Sequence, residues 1–195
     1  MKDVTMIESA RARDVAGLLQ AVRAGGRVRY LFFWGHRPPS GGGTGPGCLS
    51  QWWPARFEVD GVGYATAEHY LMAAKARLFG DEEAAAEIVA AGHPRDAKLI
   101  GRRVRGFDEE TWAAHRFGIA VRGNVAKFGG NPDLRAYLPG TGERVLVEAG
   151  PTDRIWGIGM TASDARAERP QEWAGHNLLG FALMEARAIL SGGAG

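Results

Sequence analysis

From residue 66 to about residue 138 the chain carries helix signals almost without interruption, and this run limits what it can fold into. Thr66, Asp81 and Asp108 are side chains that cap exposed N–H groups at a helix start, and His93-Pro94 can open a further helix. Strand-like segments are short and lie outside this run. Val28 to Trp34 is β-branched and aromatic, and Arg144 to Glu148 is a brief apolar stretch. Arg56 to Tyr64 reads as a hairpin turning at Asp60-Gly61. A helix is expected over residues 5–24, where Ile7, Val15, Leu18, Leu19 and Val22 fall near helical spacing before Gly25-Gly26. An amphipathic helix from Leu178 to Leu190 closes the chain, after an irregular stretch over 157–176. Five or six helices with three or four short strands predict an α+β fold, helix-dominated, in a single domain.

At 195 residues the chain can bury a core without disulfides or metals. Cys48 is its only cysteine, which forbids an internal disulfide and fits a reducing compartment. No apolar run approaches the roughly 18 residues needed to span a membrane, and the N-terminus has no signal-length apolar segment. The expectation is a cytoplasmic protein. A net charge of +2 is too small to announce a general nucleic-acid binder. His69, His93, His115 and His176 show no metal-ligand spacing, so neither metal nor cofactor is expected.

Two acidic residues stand in aromatic, turn-bounded contexts. Glu68 lies in Tyr64-Ala-Thr-Ala-Glu68-His-Tyr70, and Asp153 precedes Arg-Ile-Trp156-Gly157-Ile-Gly159. A carboxylate pressed against aromatic rings loses water, and its charge becomes available to a ligand. Glu68, Met72, Lys75 and Ala76 share one helical face, which places Lys75 below Glu68 in a pocket. The plainer reading of Glu68 is a surface residue satisfied by the helix dipole. Trp112 could stack on a base, although core packing is commoner for such a residue. Arg95, Lys98, Arg102 and Arg105 fall on one stripe that could clamp phosphate or simply face water. Residues 35–47 hold nine Gly or Pro among thirteen, with His36 and Arg37 between them, in a loop whose N–H groups could cradle phosphate.

Read together and in order, these segments resemble the NADAR family of YbiA-like N-glycosidases. The likeness rests on Phe32-Phe33-Trp34, Leu49-Ser-Gln-Trp52-Trp53, Thr66-Ala-Glu68-His-Tyr70 with Lys75-Ala76, and Lys98 with Gly101-Arg102. It continues through Trp112, Lys127-Phe128, Leu146-Val-Glu148, Asp153 with Trp156-Gly157-Ile-Gly159, and Asn177-Leu-Leu-Gly180 with Arg187. The resemblance implies a YbiA-like domain over 28–191, preceded by an N-terminal helical extension over 1–27. It implies hydrolysis of a ribosyl C1′–N bond, with Glu68, Asp153 and Trp112 as catalytic residues. Phe33, Trp34, Gly35, His36, Trp52, Lys75, Lys98, Arg102, Trp156, Gly157, Gly159 and Asn177 are implied to bind substrate.

Two substrate classes come with the resemblance. One is ADP-ribose joined to guanine, in DNA or as free nucleotide. The other is the phosphoribosylamino-pyrimidines of riboflavin synthesis. The long 35–47 loop and the Lys98/Arg102 pair favour the diphosphate of the first, with ADP-ribosylated nucleic acid as a possible partner. A non-catalytic ADP-ribose or NAD-derivative reader would use the same residues without turnover, and retention of both carboxylates argues against it.

Overall fold

The computed structural model describes residues 9, 11–25 and 27–192. Seven α-helices and four short strands are present among them, the helix-dominated α+β fold expected. The chain forms two compact units, one from Met1–Ser50 with Ala136–Gly195 and the other from Gln51–Arg135.

The first unit opens with α1 (Val15–Arg23). Within the expected 5–24 this helix begins at Val15, because Asp14 stands in extended backbone (φ −155°) and caps it, Oδ1 accepting the Gly17 N–H at 2.7 Å. Residues 1–8 and 10, Ile7 included, lie outside the described residues. β1 (Tyr30–Phe33) pairs in parallel with β4 (Val145–Glu148), Tyr30 opposite Val145 and Phe33 opposite Glu148. Parallel strands need a long crossover, and here most of the chain intervenes. α7 (Leu178–Gly192) packs on β4.

The free edge of β4 is closed by a side chain. Asn177 is fully buried; its Nδ2 donates to Leu146 O and its Oδ1 accepts the Glu148 N–H, both at 2.9 Å. The amide thus replaces a third strand and satisfies backbone groups that burial would otherwise leave bare. Asn177 holds φ 52°, a left-handed conformation that Asn tolerates better than most residues.

The second unit begins with the hairpin β2 (Phe57–Val59) and β3 (Val62–Tyr64), turning at Asp60 (φ 53°) and Gly61 (φ 75°) as expected. Four helices follow within it: α2 (Ala67–Leu78), α3 (Glu82–Ala90), α4 (Pro94–Gly101) and α5 (Glu109–Gly129). Their N-caps are Thr66, Asp81, His93 and Asp108, each accepting a backbone N–H of its helix. α6 (Pro132–Gly140) follows and continues into the first unit. Arg105 does not extend the stripe of Arg95, Lys98 and Arg102, because α4 ends at Gly101. Its guanidinium instead meets Asp81 at 2.6 Å and Glu83 at 3.1 Å. The Arg105 backbone N–H first, and its guanidinium next, hold the Asp81 carboxyl below the usual range.

Candidate functional site

The expected site residues fall in both units. In the second, Glu68 occupies the first turn of α2 and is 5% exposed. The local sequence explains its place. Thr66 caps the helix, and the positive end of the dipole favours a carboxylate there. Gln51 O accepts the Glu68 N–H at 3.0 Å. The Gln51 side chain is itself buried and donates to Asn124 Oδ1 at 3.1 Å, while Asn124 Nδ2 bonds Ala120 O on α5. Glu68 is thereby tied to α5 through a buried polar chain. Sequence reasoning did not single out Asn124. The available signal was a polar residue on the buried side of a long helix.

His69 adds a second anchor. Its Nδ1 lies 2.8 Å from Thr66 Oγ1, and its Nε2 lies 3.1 Å from Ala91 O. A carbonyl only accepts, so Nε2 carries the proton and Nδ1 accepts from the threonine hydroxyl. Burial lowers the pKa of His69. The unfolded chain, with His69 near 6.5, takes up the proton first as pH falls. Stability is therefore present above that pH and is lost as pH drops through about 6.5 and below. Wild type is expected to lose more Tm between pH 7.5 and 5.5 than His69→Gln does. Parallel pH–Tm curves for the two proteins would contradict this.

Lys75 does not lie open beneath Glu68. Its Nζ donates to Gly101 O at 2.9 Å, sits 4.0 Å from the Phe107 ring centroid and 5.8 Å from that of Trp112. Burial lowers its pKa. The ammonium thus meets the carbonyl end of α4, where a cation is favoured, inside a partial aromatic cage. Trp112 is 7% exposed, with Lys75 near its ring. Lys98 is half-buried, Arg102 is the exposed C-cap of α4, and neither forms an ion pair among the described residues. Trp52 meets His93 edge-on at 5.8 Å.

In the first unit, site residues gather at the carboxyl ends of the parallel pair. Ligands commonly sit at such strand ends in parallel sheets. Phe33 is buried in β1, but the next residue, Trp34, is 68% exposed. Gly35 (φ 72°) then turns the chain towards half-buried His36. A side chain at Gly150, just past β4, would touch the Trp34 indole at 3.6 Å and Asp153 Cβ at 3.7 Å. Asp153 Oδ1 accepts the N–H groups of Ile155 (2.9 Å) and Trp156 (2.8 Å), closing a tight turn. Backbone bonds fasten this turn to the segment before α7: His176 N–H to Arg154 O, and Asn177 N–H to Gly157 O. Gly157 packs on Glu148 O, and Gly159 holds φ 68°. The Asn177 side chain has both amide atoms on β4, so it holds the strand that carries this loop.

Asp153 therefore has a visible structural task besides any chemical one. Asn would keep the oxygen acceptor and lose the charge, whereas Ala would lose both. Asp153→Asn is expected to retain wild-type Tm and to lower kcat at least about tenfold; Asp153→Ala is expected to lower both. Full activity in Asp153→Asn would restrict the residue to shaping the turn.

Among the described residues, no three His, Cys, Asp or Glu side chains group as a metal site, and no helix is long and apolar enough to cross a membrane. The second unit offers a buried, dipole-supported carboxylate and, on α4, cations with no ion pair among the described residues; the first unit offers an exposed indole beside an Asp-closed loop. Carboxylates and aromatic faces are the equipment of glycosyl bond chemistry. The NADAR domain family matches residues 32–191, so the chain belongs to that family; the match takes in the whole second unit and the part of the first that follows α1. N-glycosidase R617 of Acanthamoeba polyphaga mimivirus is 42% identical over 164 residues, 82% of this chain and 95% of that protein. The NMR structure of the Escherichia coli protein YbiA matches with a TM-score of 0.66 at 27% identity, covering 85% of this chain and 87% of that one. The maize riboflavin biosynthesis protein PYRR, chloroplastic, is 34% identical over 136 residues, 66% of this chain and 20% of that protein. The protein is an enzyme acting on N-glycosyl bonds.

Proposed function

We propose that this enzyme removes ADP-ribose from guanine, in DNA or as a free nucleotide, by hydrolysing the ribosyl C1′–N bond. Burial of Glu68 at the α2 N-terminus is the observation that carries this reading. As the C1′–N bond lengthens, positive charge develops on the ribose. A carboxylate on a helix turn whose backbone is anchored to buried Gln51 opposes that charge in a dry setting without reorganising. Water adds its oxygen to C1′, its proton passes to a carboxylate, and the leaving nitrogen recovers a proton as the base departs. Asp153 is proposed as the second carboxylate, acting on the ribose, and the exposed Trp34 indole as a face for the base. Lys98 and Arg102, without carboxylate partners among the described residues, suit a diphosphate.

Arg102→Ala is expected to raise KM several-fold with little change in kcat, the pattern of binding made equally in ground and transition states. An unchanged KM would return this residue to solvent. A second reading, cleavage of phosphoribosylamino-pyrimidines, is favoured by the likeness to the maize riboflavin protein. The two are separated by offering the enzyme an ADP-ribosylated guanine oligonucleotide and, separately, the pyrimidine phosphate, at equal concentration. Release of ADP-ribose with a higher kcat/KM is expected, and preference for the pyrimidine phosphate would establish the second reading.

A further inference from the structure

The second unit holds a groove of about 680 Å³ between the β2–β3 hairpin, α2 and α5. Tyr70, Ala74 and Arg77 face it from α2, a different side of that helix from Glu68, Met72 and Lys75 by helical spacing. Its volume and its apolar walls, Val59 and Val62 on one side and Leu78 and Ile119 on others, are those of a small-molecule pocket.

Polar groups converge on this apolar space. Arg77 Nη1 donates to the Tyr64 hydroxyl at 2.6 Å and has no ion pair among the described residues. Arg122 meets Asp60 at 2.6 Å. Among Asp60, Arg77 and Arg122 the lining keeps one positive charge in excess. The rings of Tyr64 and Tyr70 meet edge to face with centroids 5.2 Å apart. Burial raises the Tyr70 pKa, so its hydroxyl stays neutral.

A glycine supplies the second, independent observation. α5 has two glycines at mid-helix, and each weakens a helix relative to alanine. Gly123 has a packing reason, because a Cβ there would run into the Tyr70 ring. Gly118 has none: it lines the groove, and a Cβ would meet nothing within 4 Å. Folding gains nothing from the bare backbone at Gly118, whereas a flat ligand lying on α5 would.

We propose that this groove binds a small aromatic anion, its ring lying against α5 at Gly118 and its carboxylate or phosphate held by Arg77. The site is separate from the glycosidase residues. The test is calorimetric titration of the full chain with indole-3-acetate, phenyl phosphate and the neutral indole-3-ethanol. At least one anion is expected to bind with Kd below about 1 mM, with indole-3-ethanol at least tenfold weaker than indole-3-acetate if that acid is the one bound. The acid that binds identifies the headgroup as carboxylate or phosphate. Arg77→Ala is expected to weaken binding at least about tenfold, as loss of a charged hydrogen bond should. Gly118→Leu is expected to abolish binding while Tm holds or rises. Failure of both anions to bind, indole-3-ethanol binding as tightly as indole-3-acetate, or binding unchanged in both variants would overturn the proposal.

Discussion

Glu68→Gln is expected to fold normally, bind substrate nearly as well as wild type and lose about 10²-fold or more in kcat, equivalent to roughly 2.7 kcal/mol of transition-state stabilisation. Gln keeps the size of the side chain and an oxygen acceptor. The Gln51 O···Glu68 N–H bond involves only backbone at position 68 and survives the change. A residue serving only the helix dipole tolerates this substitution at about 1 kcal/mol or less. A carboxylate facing a developing oxocarbenium does not, because its attraction grows as charge appears. Single-turnover rates with Tm and substrate Kd measured alongside check the prediction. Near-normal turnover would remove Glu68 from the chemistry.

The largest expected loss of stability belongs to Asn177→Leu. It strips Leu146 O and the Glu148 N–H of their buried partners, each worth about 1–3 kcal/mol. Leu at φ 52° adds a left-handed penalty of about 1–2 kcal/mol. Urea unfolding should therefore show about 3–8 kcal/mol lost. Asn177→Gly should lose less, because it removes the hydrogen bonds without the backbone strain. A loss below about 1 kcal/mol for Leu would mean that the β4 edge is held by something else.

These two residues also mark what could and could not be read from sequence. Thr66, Asp81, Asp108 and Asp60-Gly61 act on N–H groups or turns within a few residues, so their chemistry is visible locally. The placement of Glu68 in a first helical turn followed from Thr66 in the same way. The β1–β4 pairing joins segments separated by most of the chain, and nothing local encodes it. Asn177 precedes a helix, which reads as a cap or a ligand contact; its service as a surrogate strand depends on where β4 runs. Helical spacing extended past Gly101 puts Arg105 on a stripe, but α4 ends at Gly101 and the buried Asp81 carboxylate claims the guanidinium. Lys75 keeps the helical face expected of it, yet its ammonium turns to the α4 carbonyl end. The Gly101 carbonyl and the Phe107 ring that it meets there are distant in sequence.

The central claim, cleavage on the sugar side of the N-glycosyl bond, is tested most directly by mass spectrometry of products formed in ¹⁸O-water. Wild-type enzyme acting on ADP-ribosylated guanine oligonucleotide should release ADP-ribose and return guanine with its amino nitrogen and without ¹⁸O, while Glu68→Gln returns almost none. Incorporation of ¹⁸O into the base, or failure of the wild type to release ADP-ribose, would contradict the account.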